Sequence, residues 1–372
     1  MSIINQLINR KISLKLSLFY VGFILCSIST LLGRSALFEV PDLLIEQILP
    51  TISATLFGAK FLLDKHTKKE LPIYVIIIVV LIILKIFCSL NTYIVLSVLA
   101  FISFRQVNIN KVIKIDLAIK AFFLLSHALV FTVDYLTGIE ETSNFIHYLA
   151  KGTSLSLYFV NPNTTGLLGT WIALDMLYLK KDKRFKDFVF PTVIVLITYF
   201  LTTSRTPFLV YTVYILLQFI RNDNHLMILQ KTIYPILSIL SLLVMMFYNP
   251  NNSIFMIIDK ALSGRLYYSS LAYNLIGINI IPRTDAALLL KNCVVDVFYV
   301  KCCVQFGITT LALYYIPHLL MPKNASKEEK RMSIVASIYL FFEWVIANIG
   351  FAPAYLILAD AFYNHRGNDG VE

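Results

Sequence analysis

Long apolar runs alternate with short charged tufts along this chain, and runs of this length read as membrane-crossing helices. In order they cover residues 16–33, 43–63, 72–90, 92–104, 117–133, 164–179, 188–203, 206–220, 228–248, 293–320, 333–351 and 354–362. The pattern predicts an all-α, polytopic transmembrane protein of about twelve spans, forming one integral membrane domain over residues 1–372. Two runs, 92–104 and 354–362, are short for a span. The first run follows Arg10, Lys11 and Lys15; its core is too long for a cleaved leader, and no small-residue cleavage site follows. No internal repeat and no pair of matching interrupted helices is visible in the sequence.

Composition agrees with the pattern. Apolar residues make up 58% of the chain, charged residues 15%, and mean hydropathy is +0.74. A soluble chain is about half apolar and a quarter charged. A net charge of +10 raises the question of a nucleic-acid partner. The basic residues sit in tufts between apolar runs, however, which is how topology is encoded, and no nucleic acid is expected. With the N-terminus inside, 22 Lys and Arg fall on the cytoplasmic side and seven outside: Arg34, Lys151, Arg205, Lys260, Arg265, Arg283 and Lys291. Both termini are therefore expected in the cytoplasm, with large outer loops at about 134–163 and 249–292. The five cysteines lie in or beside apolar runs without a CxxC pair and read as small packing residues.

Cations on the side where they should be scarce need a reason, and an anionic substrate supplies one. Three outer segments open helices with a capping residue: Asn161-Pro162-Asn163-Thr164, Ser204-Arg205-Thr206-Pro207 and Pro282-Arg283-Thr284-Asp285. Helix N-termini beside an arginine suit phosphate, although each segment also reads as a plain cap. Ser263-Gly264-Arg265 precedes Tyr267 and Tyr268, whose rings suit sugar faces or an interfacial aromatic belt. Asp296 and Glu343 are carboxylates at membrane depth; Glu343 has Lys85, Lys120 and Lys301 as candidate counter-ions. His147 in the first outer loop reads as incidental. No metal cluster, phosphate-binding glycine loop or Ser-His-Asp arrangement is present in the sequence, and no cytoplasmic domain offers room for a nucleotide sugar.

Over residues 161–307 the chain resembles the O-antigen ligase and polysaccharide polymerase superfamily of bacterial membrane glycosyltransferases. The resemblance rests on Asn161-Pro162-Asn163, Thr203-Ser204-Arg205, Ser263-Gly264-Arg265, and Asp296 with Tyr299 and Gly307. It implies a multi-pass protein of the bacterial cytoplasmic membrane that joins undecaprenyl-diphosphate-linked repeat units on its outer face, with no cofactor. Arg205 and Arg265 would hold the diphosphate, and Asp296 or a neighbouring carboxylate would take the acceptor proton. Asn161, Asn163, Ser204, Ser263, Tyr267, Tyr268, Arg283, Tyr299 and Glu343 would bind substrate. A chain-length regulator and a flippase are the implied protein partners. Ligases of this superfamily usually carry His-Asn where this chain has Asp296-Val297, which points to the polymerase branch. A lipid-linked oligosaccharide flippase and a ligase to another acceptor are the competing readings.

Overall fold

A computed structural model describes residues 2–138, 155–291 and 293–365, with side chains from Leu14 to Asn364. His147 and most of the first outer loop lie outside the described residues. Among those described the molecule is all-helical, without a strand. The helices are α1 (Ser2–Leu32), α2 (Leu49–Leu63), α3 (Glu70–Cys88), α4 (Thr92–Ile102), α5 (Ile109–Thr137), α6 (Pro162–Tyr178) and α7 (Phe185–Thr202). There follow α8 (Arg205–Leu217), α9 (Asp223–Phe247), α10 (Ser253–Ala261), α11 (Arg265–Ile276), α12 (Ile308–Leu319), α13 (Lys327–Leu340) and α14 (Ala354–His365). Five are long and apolar enough to cross a membrane: Leu14–Leu32, Glu70–Cys88, Ile109–Thr137, Phe185–Thr202 and Asp223–Phe247. The outer surface of α3 shows why lipid is the solvent. Ile73, Ile76, Ile83, Ile86 and Phe87 are all exposed, and no soluble surface carries such a stripe without a partner.

The apolar runs at 293–320 and 333–351 are not single helices, contrary to expectation. Residues 293–297 are not helical; a turn at Phe298–Lys301 and a π-turn at Cys302–Phe306 follow, and α12 starts only after a break at Gly307. Similarly α13 ends at Leu340, and residues 341–353 are open chain and turns around one short helical turn at Trp344–Ala347. Apolar composition cannot report such breaks, because a buried open segment is as hydrophobic as a buried helix.

Open backbone at this depth needs internal partners. Around Gly307 they come from the loop after α11. Asn279 donates its N–H to Cys303 O at 2.8 Å and its side-chain amide to Val304 O at 2.9 Å. Ile308 N–H reaches Asn279 O at 2.9 Å and Thr309 N–H reaches Ile280 O at 3.0 Å. Around residue 347, Ser97 Oγ donates to Ala347 O at 2.8 Å, Tyr314 donates to the same oxygen, and Gly350 N–H reaches Asn348 Oδ1 at 2.8 Å. The two open stretches meet where Trp344 N–H donates to Asp296 O at 2.7 Å. The sequence reading saw no pair of interrupted helices; the structure has two, joined at this bond.

The five cysteines carry no disulfide, and four of them are buried. Lys120 of α5, one candidate counter-ion for Glu343, is committed elsewhere. It is fully buried, pairs with Asp116 one turn earlier, and lies 3.4 Å from Asp175 of α6 and 5.5 Å from the Trp171 ring centroid. Removing a buried cation strands its carboxylates, which typically costs about 3–5 kcal/mol. Lys120→Met is therefore expected to lower the thermal midpoint in detergent sharply, and adding Asp116→Asn with Asp175→Asn is expected to recover most of it.

Candidate functional site

The site is assembled by four chain segments, and a close helix approach sets its first contact. A Cβ on Gly166 of α6 would lie 3.0 Å from Ser204 Cβ and 3.2 Å from Pro207 Cγ, so the bare backbone there lets the start of α8 press against α6. That contact brings Ser204 Oγ within 2.8 Å of Asn163 Oδ1. Ser204 was expected to cap α8 with its side chain; it spends its hydroxyl on Asn163 instead, and the first amides of α8 carry no side-chain cap. Asn161 does cap α6, accepting from Thr164 N at 2.9 Å.

The third segment is the turn between α10 and α11. Ser263 and Gly264 both have positive φ, 58° and 81°, which folds the chain back so that Arg265 opens α11. Asp259 closes this turn, taking Leu266 N–H at 2.8 Å and Tyr267 N–H at 3.1 Å. The N-terminus of α11 is thus satisfied internally, whereas that of α8 stays open. The fourth segment is the pair of joined open stretches carrying Asp296 and Glu343.

Arg205 and Arg265 line the same cavity of about 440 Å³, together with Asn163, Ser204, Ser263 and Asp296. Arg265 is held on three sides. Its Nη2 donates to Glu343 Oε1 at 2.6 Å, its Nε to Phe342 O at 3.1 Å and its Nη1 to Leu262 O at 3.2 Å. Glu343 also lies 3.5 Å from Asn163 Nδ2, so the counter-ion of Glu343 is Arg265, not Lys85, Lys120 or Lys301. Lys85 instead donates to Leu90 O at 3.1 Å and to Thr92 Oγ1 at 2.7 Å, and Lys301 sits 4.1 Å over the Trp344 ring. Arg205 differs from Arg265: it is exposed at the first position of α8, and no described carboxylate pairs with it.

Several expected site residues lie elsewhere. Arg283 forms a local fork with Asp285 at 2.5 and 2.9 Å and reaches Ile276 O at 3.2 Å. That guanidinium holds the Asp285 carboxyl below its usual range, and neither residue lines the cavity. Tyr299 is buried in the core, where its hydroxyl donates to Ser337 O at 2.7 Å and its ring meets Tyr234 edge-on. Tyr267 and Tyr268 stand on the surface in an aromatic group with Tyr248, away from the cavity lining.

Two cations escaped the sequence reading as site residues. Arg34 ends the turn after α1; burial pushes its guanidinium down, against the pull of Glu343 and Asp296. Lys301, like Arg34 and Arg265, acts electrostatically on Asp296. Arg34 had been counted among the outer cations, and its isolation there was the available signal. Arg205, Arg265 and Asp296 are the charged residues that line the cavity, and Glu343 pairs with Arg265 beside it. The uncapped N-terminus of α8 with Arg205 beside it is the local geometry that phosphate oxygens prefer. Asp296 makes no side-chain ion pair among the described residues, which leaves it open to accept a proton. Among the described residues no three His, Cys, Asp or Glu side chains gather as metal ligands would. Comparison with protein-family models, characterised proteins and solved structures finds no match to this chain.

Proposed function

We propose that the chain is a multi-pass glycosyltransferase of the bacterial cytoplasmic membrane, of about twelve spans with both termini inside. It joins oligosaccharide repeat units carried on undecaprenyl diphosphate at the outer face, building a capsule, exopolysaccharide or O-antigen chain. One observation carries this reading: Arg205 and Arg265, far apart in sequence and both on the expected outer side, line one cavity with Asp296.

The chemistry follows from that arrangement. An acceptor hydroxyl attacks the anomeric carbon of the donor; the bond from that carbon to the diphosphate oxygen breaks, and its electron pair leaves with the lipid diphosphate. Charge grows on the departing oxygen, so cations fixed beside it favour the transition state over the ground state. Each charge-assisted contact contributes about 1.5–3 kcal/mol. The hydroxyl proton passes to Asp296, a residue of the cavity lining.

Arg205→Ala is the cleanest test. Its side chain is exposed and unpaired, so the protein is expected to accumulate at its normal level while polymer disappears and lipid-linked single repeats build up. Full-length polymer in that variant would end the proposal. The two interrupted stretches, a feature shared with transporters, favour one competing reading, a lipid-linked oligosaccharide flippase. Purified protein that moves labelled lipid-linked sugar between leaflets without extending it would decide for the flippase.

A further inference from the structure

A second, smaller cavity of about 250 Å³ is lined in part by the stretch that follows Glu343. Arg34, Glu46, Asn91, Tyr93 and Trp344 line it, so it draws on the end of α1, the π-turn Leu43–Ile48, the start of α4 and the second open stretch. Trp344 belongs to this wall, while its neighbour Glu343 pairs with Arg265, which lines the first cavity. Asp296, which lines the first cavity, accepts the Trp344 backbone N–H at 2.7 Å. The joined pair of open stretches therefore contributes a wall residue to each cavity, Asp296 to the first and Trp344 to the second.

The lining leaves several polar groups unused, among them the exposed carboxylate of Glu46. Arg34 and Glu46 carry opposite charges and both line the same small space, yet they form no ion pair with each other or with any other described residue. Asn91 uses its side-chain oxygen on Tyr93 N–H at 3.0 Å, which leaves its amide hydrogens free for the cavity. Tyr93 contributes a hydroxyl 3.3 Å from Ser29 Oγ, and Trp344 contributes an indole. Donors, an acceptor and an aromatic wall in a space of this size match a single hydroxyl-rich ring. A second diphosphate is disfavoured, because Glu46 would face it.

We infer that this second cavity is the acceptor-sugar subsite, holding one neutral pyranose ring between Trp344, Glu46, Asn91 and Arg34. The inference rests on the glycosyltransferase reading above and adds where the nucleophile enters. The acceptor hydroxyl approaches past Trp344, forms the new bond to the anomeric carbon of a donor held at Arg205 and Arg265, and gives its proton to Asp296. The donor's bond to lipid diphosphate breaks in the same event.

The test uses intrinsic fluorescence. The chain has two tryptophans, and Trp171 is fully buried, so Trp171→Phe leaves Trp344 as a reporter for this cavity. Should that variant accumulate poorly, the difference in emission between wild type and Trp344→Phe isolates the same indole. Purified full-length protein in nanodiscs is titrated with methyl glycosides of glucose, galactose, mannose, rhamnose and N-acetylglucosamine. At least one is expected to give a saturable change, with half-saturation weakened about tenfold by Glu46→Gln and by Asn91→Ala, as loss of one good hydrogen bond predicts. Arg205→Ala is expected to leave the titration unchanged, which separates this subsite from the anion cavity. No saturable response from any of the five glycosides overturns the inference, as does a response untouched by the Glu46 and Asn91 variants. A sugar response in a protein whose Arg205 is dispensable for transfer would leave a sugar-binding cavity but sink the acceptor role together with the enzyme assignment.

Discussion

Arg265→Ala is expected to abolish chain growth and to destabilise the protein at the same time, unlike Arg205→Ala. The reason lies in what Arg265 holds. Its guanidinium binds the Glu343 carboxylate at 2.6 Å and also the carbonyls of Phe342 and Leu262, so it ties the α10–α11 turn to the second open stretch. Both charged side chains are only 10% exposed. Removing one partner of such a pair leaves the other buried and uncompensated, typically at about 3–5 kcal/mol. Arg265→Lys is expected to fail as well, since an ammonium cannot serve a carboxylate and two carbonyls with the geometry of a planar fork. The double variant Arg265→Ala with Glu343→Gln separates the two roles. It is expected to regain much of the thermal midpoint, measured by unfolding in detergent, while polymer stays absent. Recovery of polymer along with stability would show that Arg265 only holds the loop.

The second large effect is expected from Gly307→Ala. Gly307 has φ 81° and ψ 148°, a region that only glycine enters readily, and forcing another residue into it costs about 1–3 kcal/mol. The space is closed as well: a Cβ there would lie 2.4 Å from the Ile281 carbonyl carbon and 2.6 Å from its Cα. Backbone would have to move, and with it the hydrogen bonds from Asn279 that satisfy the break. The expected outcome is a protein that fails to accumulate in the membrane or unfolds at a markedly lower temperature. Wild-type accumulation and midpoint would mean that the loop at residues 277–283 is not seated on the break as described.

The unbroken helices were legible because one helical period of apolar residues, bounded by charge, admits few other readings in a bilayer. The run at 43–63 emerges as the π-turn Leu43–Ile48 continued by α2, and the run at 228–248 lies within Asp223–Phe247 apart from its last residue. The interruptions were not legible, since Val294 to Phe298 and Phe341 to Phe351 are as apolar open as they would be coiled. Only their punctuation hinted at a break: Gly307 in one, and Asn348 with Gly350 in the other.

The site divides along the same line. Arg205 and Arg265 could be singled out because each stood on the wrong side for topology, a property that needs no tertiary knowledge. Arg283 shared it, but Asp285 two residues later takes up its charge. Tyr299 is grouped with Asp296 in the sequence only by the resemblance to the superfamily motif. The chain is not helical at Asp296 and becomes so only at Phe298; Asp296 lines the cavity while Tyr299 is buried in the core. The partnership of Glu343 with Arg265 spans 78 residues and depends on the break after Leu340, which composition conceals.

The most direct test of the central idea is a structure of the protein in nanodiscs with an undecaprenyl-diphosphate-linked sugar bound. The two phosphates are expected between the guanidinium groups of Arg205 and Arg265, at the open N-terminus of α8, with Asp296 facing the sugar end. Phosphates seated elsewhere, with the space between those two arginines holding only water, would contradict the account.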